Sequence, residues 1–96
     1  MENIQYLPLP YDIEDTVYYM EKVDKVGGHP KYKIIKCIVF GYYNFGNGWK
    51  IRLHTNRNKY KYAEYDLDVS FCGYTVFDKR KQAEERIREL YGSVVE

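Results

Sequence analysis

Trp49-Lys50-Ile51-Arg52-Leu53-His54-Thr55 alternates without a break. Trp49, Ile51, Leu53 and Thr55 fall on one side of an extended chain, and Lys50, Arg52 and His54 fall on the other. A period of two marks a strand with one apolar and one wet face. The stretch around it, Tyr32–Tyr65, decides the fold. Upstream, Tyr32–Tyr43 is apolar on both sides, with Ile34, Ile38, Phe40 and Tyr42 on one and Ile35, Cys37, Val39 and Tyr43 on the other. Such a strand is expected to be buried on both faces. One long strand achieves this by bending and serving two sheets in turn, and Gly41 is the natural place for the bend or bulge. Asn44-Phe45-Gly46-Asn47-Gly48 joins the two strands as a hairpin loop, because Asn and Gly tolerate the positive φ that such loops need.

Downstream, Asn56-Arg57-Asn58 reads as a turn and Lys59–Tyr65 as a fourth strand. Tyr60 and Tyr62 share one of its faces while Ala63 and Tyr65 share the other, which predicts a bulge near Tyr62–Ala63. Asp66–Gly73 reads as a single helical turn or an irregular crossover, and Tyr74–Phe77 as a short fifth strand. Asp78 is then the expected cap of a helix over Lys79–Tyr91. Ala83, Ile87, Leu90 and Tyr91 make its buried stripe, Glu84 and Arg88 an i,i+4 pair, and Gly92 its stop. Upstream, Thr16–Val23 is the first strand, Asp24–Pro30 a loop punctuated by Gly27-Gly28, and residues 1–11, with Pro8 and Pro10, an extended arm.

The expected fold is α+β: a small, strongly bent antiparallel sheet, or an SH3-like or OB-like barrel, of four or five strands with one C-terminal helix. The 96 residues make one domain, with residues 12–77 in the sheet or barrel and 78–92 in the helix. Twelve tyrosines bring the aromatic content to 18%. Tyr packs its ring and keeps its hydroxyl wet, so the excess favours a strand-rich fold. No basic, apolar leader opens the chain and no apolar run approaches the ~18–20 residues of a membrane span, so a cytoplasmic, non-membrane protein is expected. Cys37 and Cys72 are too few for a disulfide scaffold and read as reduced, buried thiols. His29 and His54 lack the company of a zinc site, so neither metal nor cofactor is expected.

Net charge is +1, which conceals strong segregation. Residues 1–30 carry a net −4, residues 31–61 eight bases and no acid, and residues 62–77 three acids. Such asymmetry concerns partners rather than fold. Lys50, Arg52 and His54 share one strand side, and Arg57, Lys59 and Lys61 follow directly. With Tyr60 and Tyr62 between them they read either as a phosphate-contacting strip or as the solvated outer face every half-buried strand needs. Tyr43 and Phe45, near the hairpin tip, would be binding anchors if exposed, whereas Trp49 and Tyr42 read as core. Lys79, Arg80 and Lys81 form a second candidate. The helix dipole disfavours three cations in a first turn, which suggests either an acidic contact or compensation by Asp78, Glu84 and Glu85. Asp12-Ile13-Glu14-Asp15 reads as a phosphate mimic or a solvated turn.

The pattern Gly73-Tyr74-Thr75-Val76-Phe77-Asp78, followed by Ala83-Glu84-Glu85, Ile87 and Leu90, resembles the ending G-x-T-V-F-x-x-x-x-x-A-E-x-x-I of short proteins of phages and integrated mobile elements. Thr16-Val17-Tyr18-Tyr19 and Lys33-Ile34-Ile35-Lys36 are similar to the early strands of that group. The resemblance implies a protein that binds a host or phage macromolecule in a bacterial cytoplasm, including as an inhibitor of a defence nuclease such as a CRISPR effector. It implies no catalytic residue.

Catalytic patterns are weak. There is no Gly-x-Ser-x-Gly and no His-Glu-x-x-His, and Gly46-x-Gly48 is too short for a dinucleotide loop. Asp66 and Asp68 would be a metal pair only if further carboxylates converged on them. The sequence therefore points to a non-enzymatic binding domain whose partner is a host or phage protein or ribonucleoprotein. The alternative is a small β-barrel that binds DNA or RNA directly.

Overall fold

The computed structural model describes residues 9–26, 28–44, 46, 48–55 and 63–95, except for the side chains of 24–26. Most of the N-terminal arm, the loop residue Phe45, the turn at 56–58, the basic residues Arg57, Lys59 and Lys61, and the start of the fourth strand with its bulge at Tyr62 lie outside the described residues.

The strands are β1 Thr16–Val26, β2 His29–Asn44, β3 Trp49–Thr55, β4 Glu64–Asp68, β5 Val76–Phe77 and β6 Ser93–Val94. One turn of 3-10 helix, Val69–Phe71, follows β4, and α1 spans Arg80–Glu89. The fold is α+β, with sheet order β4-β3-β2-β1-β5. Neighbours are antiparallel, except that β6 pairs with β2 in parallel. The sheet is open, so the bent-sheet form is realised and the closed barrel is not.

β2 does not serve two sheets in turn, as its two apolar faces suggest; it lies in one sheet and takes two partners in turn along one edge. Lys31 and Tyr32 pair with β6, and Cys37 to Asn44 pair with β3. Its ladder with β1 runs to Val26↔His29, leaving two residues between the strands. The sequence 24–30 reads as a loop because of its Gly, Pro and charges, yet most of it is strand. A two-residue turn with Gly28 at φ 83 suffices, and pairing overrides the local composition.

A bulge lies between Val39 and Gly41, where β2 has one more residue than β3. It reverses the facing of everything after it. Val39 lies opposite Leu53, and Tyr42 lies opposite Ile51. Tyr42 therefore joins the core side and Tyr43 the outer side, the reverse of strict alternation. Nor is β2 buried on both faces throughout. Ile35, Cys37 and Val39 are buried, but Ile38 and Phe40 are 39% and 57% exposed.

The inner core is Val17, Ile35, Cys37, Val39, Ile51, Leu53 and Val76. Tyr11, Tyr19, Tyr42, Tyr65, Leu67, Val69 and Cys72 pack against it, so the chain crossing from β4 to β5 covers this side. On the other side α1 sets Ala83 and Ile87 against Met20 and Phe77, with Tyr32, Ile34, Leu90 and Val94 around them. Tyr91 is not in this stripe; it is 82% exposed. It ends the helix by taking φ 56, while the Gly92 N–H reaches back to the Ile87 carbonyl at 2.9 Å. Gly92 is needed for space instead. A Cβ there would lie 2.8 Å from a Tyr32 ring carbon and 2.9 Å from the Pro30 carbonyl oxygen. Asp78 is not the cap either: Lys79 holds that position, without a side-chain hydrogen bond.

The N-terminal segment is fastened by phenols. The Tyr11 hydroxyl donates to the Val76 carbonyl at 2.8 Å, and the Tyr42 hydroxyl donates to the Tyr11 carbonyl at 2.6 Å. Burial foremost, with Cys72 and Asp78 nearby, lifts the Tyr11 phenol from 10.0 to about 12. A raised phenol favours the folded state while neutral. Its contribution is complete below pH 10 and is lost as pH climbs through about 12. Tyr11→Phe should lower stability at neutral pH by about 1 kcal/mol. It should also flatten the loss of stability between pH 10 and 12. Denaturant titrations across that range check this, and parallel alkaline slopes for the two proteins would contradict it.

Candidate functional site

β3 and β4 carry complementary charge in register. Lys50 lies opposite Asp68, Arg52 opposite Asp66 and His54 opposite Glu64. Lys50 Nζ is 3.1 Å from Asp68 Oδ2, Arg52 Nε 2.8 Å from Asp66 Oδ1, and His54 Nε2 3.5 Å from Glu64 Oε1. The hydrogen bond to Asp66, foremost, raises the Arg52 guanidinium above its ordinary value. Between these pairs Ile51 faces Leu67 and Leu53 faces Tyr65, which puts the apolar residues of both strands in the core. The three described residues of the sequence's basic strip, Lys50, Arg52 and His54, thus each face a carboxylate. Surface pairs of this kind add little to stability. They do fix the register of β4 on β3, and they cancel the local positive charge.

The same outer face carries aromatic surface. The bulge leaves Phe40 without an opposite residue on β3, and its ring stacks on His54 at 4.2 Å with the planes 16° apart. Ile38, opposite His54, adjoins it. Beyond the bulge Tyr43 lies under the Arg52 guanidinium, 5.1 Å from ring centre to Cζ. Lys50, Arg52, His54 and Tyr43 are therefore brought together, with Ile38 and Phe40 at their centre. Sequence reasoning placed Ile38 and Phe40 in the core and considered Asp66 and Asp68 only as a conditional metal pair. One signal was available: Glu64, Asp66 and Asp68 repeat every second residue, the same period as Lys50, Arg52 and His54.

The second basic candidate lies elsewhere, at the start of α1. Lys79 and Lys81 are exposed there, and Arg80 Nε donates to Glu84 Oε1 at 3.0 Å. Glu84 thereby offsets one of the three cations. Asp12–Asp15 form a turn closed by the Asp15 N–H on the Asp12 carbonyl, 3.1 Å, with Glu14 at φ 75. Both cysteines are free thiols, and burial pushes Cys37 up to about 12 and Cys72 up to about 11. Neither is poised as a nucleophile. Asp66 and Asp68 are engaged with bases, and among the described residues no three metal-binding side chains converge. No described helix is long and apolar enough to cross a membrane.

A groove of about 580 Å3 opens at the far edge of the sheet, where β5 leaves β1. Lys22, Phe71, Tyr74, Thr75, Arg86 and Leu90 are among the residues that line it. The Arg86 Nε is buried without an acceptor among the described residues. Nothing in the sequence signalled this groove, because its walls come from β1, β2, β4, the crossover and α1.

The paired ladder makes a prediction about stability. Lys50→Glu with Arg52→Glu sets acids against Asp68 and Asp66, and should lower the midpoint of thermal unfolding by a few degrees. Adding Asp66→Lys with Asp68→Lys should recover most of that loss. Thermal melts at low and high salt check it; a reversal that leaves the midpoint unchanged at low salt contradicts the pairing.

Comparison with protein-family models, with curated proteins and with solved structures finds no match for this chain.

Proposed function

We propose that this chain is a small, non-enzymatic binding domain that engages a protein partner through the outer face of β2, β3 and β4. One observation carries the reading. Phe40 stands 57% exposed at the centre of that face, stacked on His54. Around it the charges of β3 and β4 are already matched within the chain. An aromatic centre with a polar rim is the anatomy of a protein interface, and Arg and Tyr, as in the Arg52–Tyr43 stack, are favoured anchors.

Direct nucleic-acid binding requires cations free to replace the counterions of phosphates. Lys50, Arg52 and His54 lie within 3.5 Å of carboxylates, so a phosphate strand would compete with them at each step. This balance favours protein over DNA or RNA. The narrower reading is an inhibitor or modulator of a host system in a bacterial cytoplasm, acting on a defence nuclease or its ribonucleoprotein. It rests on the resemblance of the Gly73–Leu90 pattern to phage and mobile-element proteins.

Phe40→Asp tests the reading, because the ring is exposed and its loss leaves the core intact. Affinity capture from nuclease-treated bacterial lysate should retain a protein partner with the native chain and lose it with Phe40→Asp. With the partner in hand, the variant should bind about 30-fold more weakly or worse, as for the loss of an interface anchor. Capture that depends on nucleic acid surviving in the lysate, or DNA or RNA binding that weakens steeply with salt, would overturn it.

A further inference from the structure

The second surface lies on the opposite edge of the sheet from β4. β5 pairs with β1 only at Tyr18 and Tyr19, and the Met20 N–H then donates to the Thr75 carbonyl at 2.8 Å. Past that bond β1 continues to Val26, paired to β2 on one side. On its other side it has no strand partner among the described residues. The Met20 N–H points away from β2, and by the two-residue repeat the N–H and C=O of Lys22 do too. An open strand edge of this kind is a template for another chain.

The groove described above runs along this edge. Tyr19, Leu67, Ser70 and Phe71 wall it on the inner side of the sheet, Tyr32, Arg86 and Leu90 on the helix side, and Tyr74 and Thr75 at the end where β5 begins. Four of its lining residues are aromatic, two are bases, and none is an acid. Phe71 and Tyr74 are 46% and 62% exposed. Of the two bases, Lys22 is exposed, and Arg86 holds Glu89 through a single contact of 3.3 Å.

We propose that the free edge of β1 at Lys22, with the groove beside it, takes an extended acidic segment of a partner protein as an added strand. Main-chain hydrogen bonds to Lys22 would hold the segment. Its apolar side chains would rest on Phe71, Tyr74 and Leu90, and its carboxylates would face Lys22 and Arg86. This is the strand-addition mode of peptide recognition, with alternate side chains supplying specificity. Acidity of the guest follows from a lining that holds only bases. The inference does not depend on the outer face of β2–β4, since β4 and this edge lie at opposite ends of the sheet.

A display library of short random peptides, selected on the full chain, tests it. Enriched sequences should be acidic with alternating apolar residues. An enriched peptide should slow hydrogen exchange at the Lys22 amide. Lys22→Glu, on an exposed side chain that leaves the fold undisturbed, should weaken that peptide about tenfold or more. Lys22→Pro, which removes the edge donor without touching the β1–β2 ladder, should do the same even at high salt. The proposal fails if no peptide is enriched, or if enriched peptides bind without protecting Lys22. It also fails if 2-naphthoate fills the groove where peptides do not, which would make it a small-molecule pocket. Self-association of the chain that Lys22→Pro abolishes would assign the edge to a second copy instead.

Discussion

One extra residue in β2 governs the molecule. The bulge between Val39 and Gly41 shifts the strand by half a repeat against β3, and each side chain beyond it changes face. Tyr42 turns inward, where its hydroxyl holds the Tyr11 backbone. Tyr11 in turn bonds Val76 and so ties the N-terminal segment to β5. Tyr43 turns outward and meets Arg52. Phe40 is left facing solvent against His54. Core closure and surface composition thus follow from one irregularity.

The ladder between β3 and β4 shows why net charge along a chain is a poor guide to charge on a surface. Residues 31–61 carry eight bases and no acid, yet the acids that face two of them, Lys50 and Arg52, come from the next segment. In an antiparallel pair the opposite residue is what matters, and here it is opposite in sign at every step. Among the described residues, the face that results sets these pairs beside the exposed Ile38 and Phe40. The edge at Lys22 is a different kind of surface, with open backbone beside an exposed lysine and with Arg86 paired to Glu89.

Much of the fold was legible in the sequence. The period-two pattern of Trp49–Thr55 gave β3 its full extent, and Ala83 and Ile87 at helical spacing gave the buried face of α1. The glycine and asparagine punctuation located the β2–β3 hairpin, and Gly41 announced the bulge. The errors share a cause. Local composition cannot report which neighbour a residue meets. Asp66–Asp68 continues the strand read as ending at Tyr65, because β3 lies opposite it through Lys50, although on its own it reads as the start of a helical turn or crossover. Tyr91 looks like a stripe residue until the chain has to turn after Glu89, and it then takes the left-handed conformation that Gly92 was expected to supply. Ile38 and Phe40 look buried because their residue types usually are, yet α1 covers only the Tyr32–Ile34 end of that face. The groove beside Lys22 and Arg86 was invisible, since segments far apart in the chain build it.

The central claim is that β2 reverses its facing at Phe40. The direct measurement is the set of interstrand nuclear Overhauser contacts between β2 and β3 in solution. The account predicts cross-strand contacts for Val39 with Leu53, Gly41 with Arg52 and Tyr42 with Ile51, and none that places Phe40 opposite a β3 residue. Contacts of Phe40 with Arg52 and of Tyr42 with Lys50, as uninterrupted alternation from Val39 requires, would contradict it. They would put Tyr42 on the outer face and remove the basis for both the Tyr11 clasp and the aromatic patch.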